Sequence, residues 1–443
     1  MAKRKTNKNG ARAKSAGTLG VSATTDELLL AALESGDAAK TGRFLMTFKE
    51  GAADRAIKSM KATSGFRVAS AKDFDNQAMD FSAAGDADAV VFPEIGVALV
   101  SGPAAAARGL SAERVLDDDN PVQSVDPEYF MFATEVNPAD YLRGVLSATR
   151  AIYADLGNGH PAAVEDVSVE VAGATWGLNA CRVPPSAFDG NGIKVAVLDT
   201  GFDLGHPEFA GRAFTSRTFV GQPVQDLHGH GTHTAGTATG PKAPPGVIQR
   251  YGIAARSRIF IGKVLSNSGG GTQAQVLAGM NWAIANRCAV ISMSLGASIP
   301  VQPSYTAAGN AALANGCLIV AAAGNESNRP ADIQPAGAPA NSPSIISVAA
   351  LDSALKVASF SNGGKVDIAA PGVSVFSSWP RPRLHNTISG TSMATPHVAG
   401  CAALWAQKSA ALRGAALRAK LVATAKHLPF PATDVGAGLV QAP

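Results

Sequence analysis

The run Gly390-Thr391-Ser392-Met393-Ala394-Thr395-Pro396-His397-Val398-Ala399-Gly400 decides how this chain of 443 residues is read. One serine stands between a Gly-Thr pair and a series of small residues able to begin a helix. The first turn of a helix offers N–H groups without intrahelical partners and a partial positive charge. That suits a place where negative charge develops on an oxygen. A hydroxyl there is a candidate nucleophile, although an ordinary helix cap is the simpler reading of Ser392 taken alone.

Activating a hydroxyl takes a base, an acid that fixes the tautomer of the base, and donors for the oxyanion. The sequence upstream holds a candidate for each. Asp199 ends the apolar run Val195-Ala196-Val197-Leu198, and an aspartate directly after a buried strand is costly unless hydrogen-bonded. Its bland reading is a turn or cap. The segment His228-Gly229-His230-Gly231-Thr232-His233-Thr234-Ala235-Gly236-Thr237 holds three histidines, but not the i, i+4 pair that binds zinc on a helix. Asn325 follows Gly324 in Ala321-Ala322-Ala323-Gly324-Asn325-Glu326, a pairing that elsewhere marks a turn.

Taken together, these motifs, in the order Asp, His, Asn, Ser, resemble those of the subtilisin-like serine peptidases, and the resemblance covers Trp176 to Pro443, 268 residues. It implies Asp199 as the acid, His230 as the base, Ser392 as the nucleophile and Asn325 as an oxyanion donor. His233 is then left to packing or hydrogen bonding on the following helix, and His228 is expected on an exposed loop. The resemblance further implies that Gly269-Gly270-Gly271 and Ser294-Leu295-Gly296 form the two edges between which a substrate pairs as a strand. Gly296, Gly324 and Gly337 fall where such enzymes line their main specificity pocket. Glycines there leave room, so a large apolar side chain is expected before the cut bond. Many relatives carry a calcium loop after the histidine helix. The corresponding segment here, Gly240 to Arg250, has no carboxylate, and Glu208 alone is too little for calcium. No metal and no cofactor is expected.

Short apolar runs alternate with helical segments through this region. Ile193–Leu198, Arg258–Val264, Ala289–Leu295, Cys317–Ala323 and Ser344–Ala349 read as strands buried on both faces, with helices at Gln273–Ala285 and Tyr305–Ala314. The expected fold is α/β, a subtilisin-like catalytic domain with a mostly parallel sheet. Active sites of such sheets gather beyond the strand C-termini, where Asp199, Ser294 and Asn325 all fall.

The N-terminal part reads differently. Thr24 and Glu27 form a capping-box pattern ahead of a helix at 26–35. Residues 43–132 then run strand, helix, strand, strand, helix, strand, a ferredoxin-like α+β order. This region resembles the propeptide domain of the same peptidases, which implies an intramolecular inhibitor whose tail enters the active site. The tail is Tyr129-Phe130-Met131-Phe132-Ala133-Thr134, aromatic and apolar as suits the pocket, with self-cleavage expected near Phe132 or Ala133 and a cut nearer Gly173 as the alternative. The division is a basic disordered tail at 1–23, a short helix and linker at 24–42, the inhibitor-like domain at 43–132, a connector with a helix at 138–156 within 133–175, and the peptidase domain at 176–443.

The formal charge of +4 comes from the tip. Lys3, Arg4, Lys5, Lys8, Arg12 and Lys14 precede any acid, and without these six, 32 basic residues face 34 acidic ones. A nearly neutral body does not suit nucleic acid. No apolar run is long enough to cross a bilayer, and no signal-peptide core follows the basic tip, so a cytoplasmic location is expected on the face of the sequence, with export by another route as the alternative. Cys181, Cys288, Cys317 and Cys401 lack metal-ligand spacing. Cys317 and Cys401 read as small core residues, with Cys288–Cys317 as a candidate disulfide. The expected function is hydrolysis of peptide bonds in protein or peptide substrates through an acyl-enzyme, by a self-inhibited zymogen. A transpeptidase or macrocyclase on the same fold, and an inactive binding scaffold, are the alternatives.

Overall fold

Thr24 and Glu27 cap the first helix reciprocally. The Glu27 N–H donates to Thr24 Oγ1 at 3.3 Å and the Thr24 N–H to Glu27 Oε2 at 2.9 Å, opening α1 (Thr25–Ser35). The computed structural model describes residues 20–62, 65–109, 120–133, 173–245 and 249–443. The basic tip and the expected connector helix at 138–156 lie outside the described residues.

After α1 come β1 (Lys40–Phe48), α2 (Ala53–Ala62), β2 (Val68–Ser70), β3 (Ala89–Phe92), β4 (Val97–Val100), α3 (Gly102–Ala107) and β5 (Val122–Ala133). The sheet order is β5-β1-β4-β3-β2. It keeps the ferredoxin-like placement of the last strand beside the first, with one more strand than expected. β3 forms an antiparallel pair with β4, and the three-residue β2 is left as a parallel edge beside β3. The addition is Ala89-Val90-Val91-Phe92, a continuous apolar run with no alternation to announce it. The sheet has two buried faces. Met46, Phe48, Val91, Ala98 and Val100 pack with Ala56 and Met60 of α2 and Ala104 of α3. The alternate residues Leu45, Val90, Phe92, Val97 and Leu99 join the core of the C-terminal part.

The C-terminal part follows as α4 (Trp176–Ala180), β6 (Lys194–Asp199), β7 (Phe214–Thr218), α5 (His230–Thr239), β8 (Arg258–Lys263), β9 (Gly270–Thr272), α6 (Gln273–Ala285), β10 (Val290–Met293), β11 (Leu295–Gly296), α7 (Pro303–Ala314), β12 (Leu318–Ala322), β13 (Ile346–Leu351), β14 (Ile368–Pro371), the hairpin β15 (Val375–Ser378) and β16 (His385–Ile388), α8 (Thr391–Lys408), α9 (Gly414–Thr424) and α10 (Ala432–Val435). Seven strands make one sheet in the order β14-β13-β12-β10-β6-β8-β7, with every neighbouring pair parallel. Such a sheet must be covered on both sides. Val195, Val290, Leu318 and Ile346 face α8 through Ala394, Val398 and Ala402. Ala196, Ile291 and Ile319 face α6 and α7 through Leu277, Met280 and Ala308.

The candidate disulfide is not formed, and all four thiols are free and buried. Each is a small side chain in the apolar core, and burial pushes the Cys288 thiol up to about 12.

Candidate active site

Asp199 is the last residue of β6, and His230 is the first of α5. Oδ1 of Asp199 meets Nδ1 of His230 at 2.7 Å with both side chains buried. The carboxylate also accepts from the Thr200 N–H at 2.7 Å and from Thr234 Oγ1 at 3.1 Å, which supplies the partners a buried charge needs. A second buried carboxylate, Asp226, holds the start of α5. It accepts from the His228, Gly229 and Thr232 N–H groups at 2.9–3.0 Å and from the hydroxyls of Thr232 and Thr200. The Gly229 and Thr232 N–H groups are orphan donors of a helix N-terminus, so Asp226 fixes the turn from which the His230 ring projects. Gly229 has φ +104°, and a Cβ there would run into the Trp379 ring. The sequence reading missed Asp226, whose signal was an acid two residues ahead of the histidine cluster.

Ser392 is the second residue of α8, which packs against α5. Pro396 has no N–H to donate to the Ser392 carbonyl four residues earlier. Ser294 takes that place, with its Oγ donating to the Ser392 carbonyl at 2.7 Å. In return Ser392 Oγ donates to the Ser294 carbonyl at 3.1 Å. Asn325 directs its Oδ1 to the Thr391 N–H and hydroxyl, both at 2.9 Å. Its Nδ2 then lies over the first turn of the helix, 3.3 Å from where a Cβ on Gly390 would sit.

The glycine-rich edge is occupied. β5 pairs antiparallel with β9, setting Phe130, Met131 and Phe132 opposite Thr272, Gly271 and Gly270. On its other side Phe132 and Ala133 pair with Gly296 and Leu295 of β11. The Ala133 N–H donates to the Gly269 carbonyl at 2.9 Å. Side chains alternate along this strand. Met131 and Ala133 enter the core of the C-terminal part, while Phe130 and Phe132 pack outward on Leu28, Leu29 and Ala32 of α1. The expectation that Phe132 suits the enzyme pocket is therefore corrected: register turns it toward α1.

One further expectation changes. His228 is not exposed; its ring is half-buried, edge-on to His230 at 6.2 Å, and burial together with His230 lowers its proton affinity. At Gly324 and Gly337 a side chain would crowd the protein's own atoms. A Cβ would meet Asn362 and Glu326 at the first and the Ala297 carbonyl at the second. The backbone N–H groups donate to Thr391 Oγ1 at 3.2 Å and to the Ala323 carbonyl at 3.0 Å. His233 is buried as expected, with Nε2 at 3.0 Å from the Val375 carbonyl. Glu208 is engaged by His385 Nε2 at 2.8 Å and by the Tyr251 hydroxyl.

The N-terminal part is fastened to this cleft by charge as well as by strand pairing. Arg43 and Glu128 form a buried pair at 2.6 Å. Arg43 also donates to the Val21 carbonyl and to Thr272 Oγ1, and Glu128 accepts from the Ala274 N–H in the first turn of α6. Thr25 of α1 exchanges side-chain hydrogen bonds with Gln275.

Comparison with known proteins agrees with this architecture. The model of the subtilase family matches residues 190–439. Subtilisin from Bacillus pumilus is 38% identical over 260 residues, covering 57% of this chain and 92% of that protein. A cuticle-degrading serine protease from Arthrobotrys oligospora is 39% identical over 260 residues, covering 54% of this chain and 60% of that protein. Subtilisin-like protease 2 from Pseudogymnoascus destructans is 41% identical over 252 residues, covering 52% and 58%. With its parallel sheet, its buried Asp–His pair and its serine-headed helix, the chain belongs to the subtilase family of serine-type endopeptidases.

Proposed function

We propose that Asp199, His230 and Ser392 act as a triad, with Asn325 as oxyanion donor, and that residues 43–133 hold the enzyme as a self-inhibited zymogen. His230 Nε2 takes the Ser392 hydroxyl proton as Oγ bonds to the scissile carbonyl carbon. The carbonyl electron pair moves onto oxygen, where the Ser392 N–H and Asn325 Nδ2 donate to it. Collapse breaks the C–N bond, and His230 returns the proton to the leaving amine. Water then repeats the sequence on the acyl-enzyme. Asp199 holds Nδ1–H and so the tautomer that leaves Nε2 basic.

One observation carries this reading: an extended segment of the chain lies between β9 and β11, and Ser392 hydrogen-bonds at the adjoining Ser294. A substrate is bound there by backbone pairing once 130–133 leave. Its side chains at the places of Met131 and Ala133 point into the enzyme, so an unbranched apolar residue with a small one two places later is preferred. Gly269, Gly270, Gly271, Ser294, Leu295 and Gly296 supply the edges, and Gly324 and Gly337 the proposed wall of the pocket beyond. The self-cleavage bond lies on the C-terminal side of Ala133.

Intact-mass analysis with N-terminal mapping tests this on the wild type and Ser392→Ala. The wild type should lose its N-terminal part by a cut beyond Ala133, and a fluorophosphonate should add to Ser392. Ser392→Ala should keep full mass and stay unlabelled. A wild type that remains whole and unlabelled would rule the reading out.

A further inference from the structure

The last residue of β8 is a lysine with no exposed surface. Lys263 lies opposite Asp199 in the β6–β8 register, one strand from the carboxylate that holds His230. Its ammonium donates to the Thr200 carbonyl and, at 2.8 Å, to Asn267 Oδ1. Thr200 is also the residue whose hydroxyl donates to Asp226 and accepts from the Gly231 N–H. Two buried carboxylates, Asp199 and Asp226, and one buried ammonium thus meet around Thr200.

We propose that Lys263 is a positioning residue for the Asp199–His230 pair, its charge offsetting the two carboxylates and so setting the pH at which His230 takes up a proton. This rests on His230 acting as the base. A hydrophobic strand end is a costly place for an ammonium, and Thr200 and Asn267 are neutral acceptors. The stabilising charges are therefore the carboxylates beyond them. In keeping with this, burial lowers the proton affinity of Lys263 to about 8 while Asp226 and Asp199 raise it.

Two other histidines flank His230. His228 stands beside it on the same loop, and its proton affinity is lowered by burial, His230 and Lys263, and raised by Asp226 and Asp199. His233, one turn along the helix, is held down to about 3 by burial and stays neutral at working pH. With Lys263 ionised the pocket carries one net negative charge; without it, two. The extra negative charge favours imidazolium, so His230 would hold its proton to higher pH and be a poorer base at neutral pH.

The test is the pH profile of kcat/KM on a chromogenic peptide, measured on the purified protein as wild type, K263Q, K263R and N267D. Asn267→Asp keeps the acceptor for Lys263 and for the Leu227 N–H while adding a negative charge, so it serves if K263Q does not accumulate. K263Q should move the acid limb up by about half a unit to one unit, the size of effect that loss of one nearby buried charge has at intermediate dielectric. N267D should move it the same way, and K263R should leave it in place. A limb unmoved in K263Q and N267D while the wild type shows one overturns the assignment to Lys263. A wild type with no activity beyond that of Ser392→Ala instead overturns the triad on which the proposal stands.

Discussion

Ser294 and Ser392 hold each other twice, the hydroxyl of each donating to the backbone carbonyl of the other at 2.7 and 3.1 Å. One of the two bonds exists because of a third residue. Pro396 leaves the Ser392 carbonyl without its helical donor, and Ser294 supplies a replacement from β11's entry. The strand edge that receives substrate is thereby fixed to the helix that carries the nucleophile.

The pairing makes a double-mutant prediction. Ser294→Ala should cost about 1–3 kcal/mol of stability by leaving a buried carbonyl unpaired. Pro396→Ala restores an N–H four residues along, so Ser294→Ala should cost less in that background. Urea unfolding of the four proteins measures the coupling, and strict additivity would show that Ser294 does not substitute for the missing amide.

Helix α1 covers the outer face of the occupied cleft through Leu28, Leu29 and Ala32 against Phe130 and Phe132. Each buried leucine contributes about 2 kcal/mol. Leu28→Ser with Leu29→Ser should therefore loosen 130–133, and fluorophosphonate labelling of freshly purified full-length protein should speed up about ten-fold or more. An unchanged labelling rate would mean that α1 does not restrain the cleft.

Arg43 and Glu128 are buried as a pair, so breaking one side differs from removing both. Glu128→Leu alone leaves an uncompensated guanidinium and strips the first turn of α6 of its acceptor, a loss of about 3–5 kcal/mol. Arg43→Leu with Glu128→Leu should be milder. Thermal unfolding in the Ser392→Ala background compares them, and a double variant as unstable as the single would contradict the pairing argument.

Burial holds His233 down to about 3 and His397 down to about 4, against about 6.5 in an unfolded chain. The unfolded chain therefore takes up protons that the native state refuses. Their contribution to stability is full above pH 6.5 and is lost as pH falls toward the folded values, at about 2–3 kcal/mol per pH unit near pH 5. Urea unfolding of the Ser392→Ala protein between pH 4.5 and 7 measures the slope. A stability flat across that range would contradict two neutral buried histidines.

How much of this was legible depends on how local each signal is. Asp199, His230, Asn325 and Ser392 sit in dense strings of small residues, ambiguous one by one but readable from their order along the chain. The start of the helix Gln273–Ala285 is a local matter, because Thr272 and Gln275 form its own capping box. What escaped depends on partners distant in sequence. The outward turn of Phe132 follows from the register of β5 between β9 and β11, and the half-buried setting of His228 depends on how its loop packs near Gly269. Asp226 looked like any loop acid, because its five donors converge only after α5 folds. β3 was missed because Ala89–Phe92 is buried on both faces and carries no alternation.

β5 is one unbroken run of twelve residues that belongs to two sheets, β1 on one side and the β9 and β11 edges near its end. On the proposed reading, a cut beyond Ala133 severs the tether and leaves the stopper part of an intact folded body. Restraint then changes from a property of one molecule to a property of concentration. On that reading, dilution of the cut protein should raise its activity per molecule.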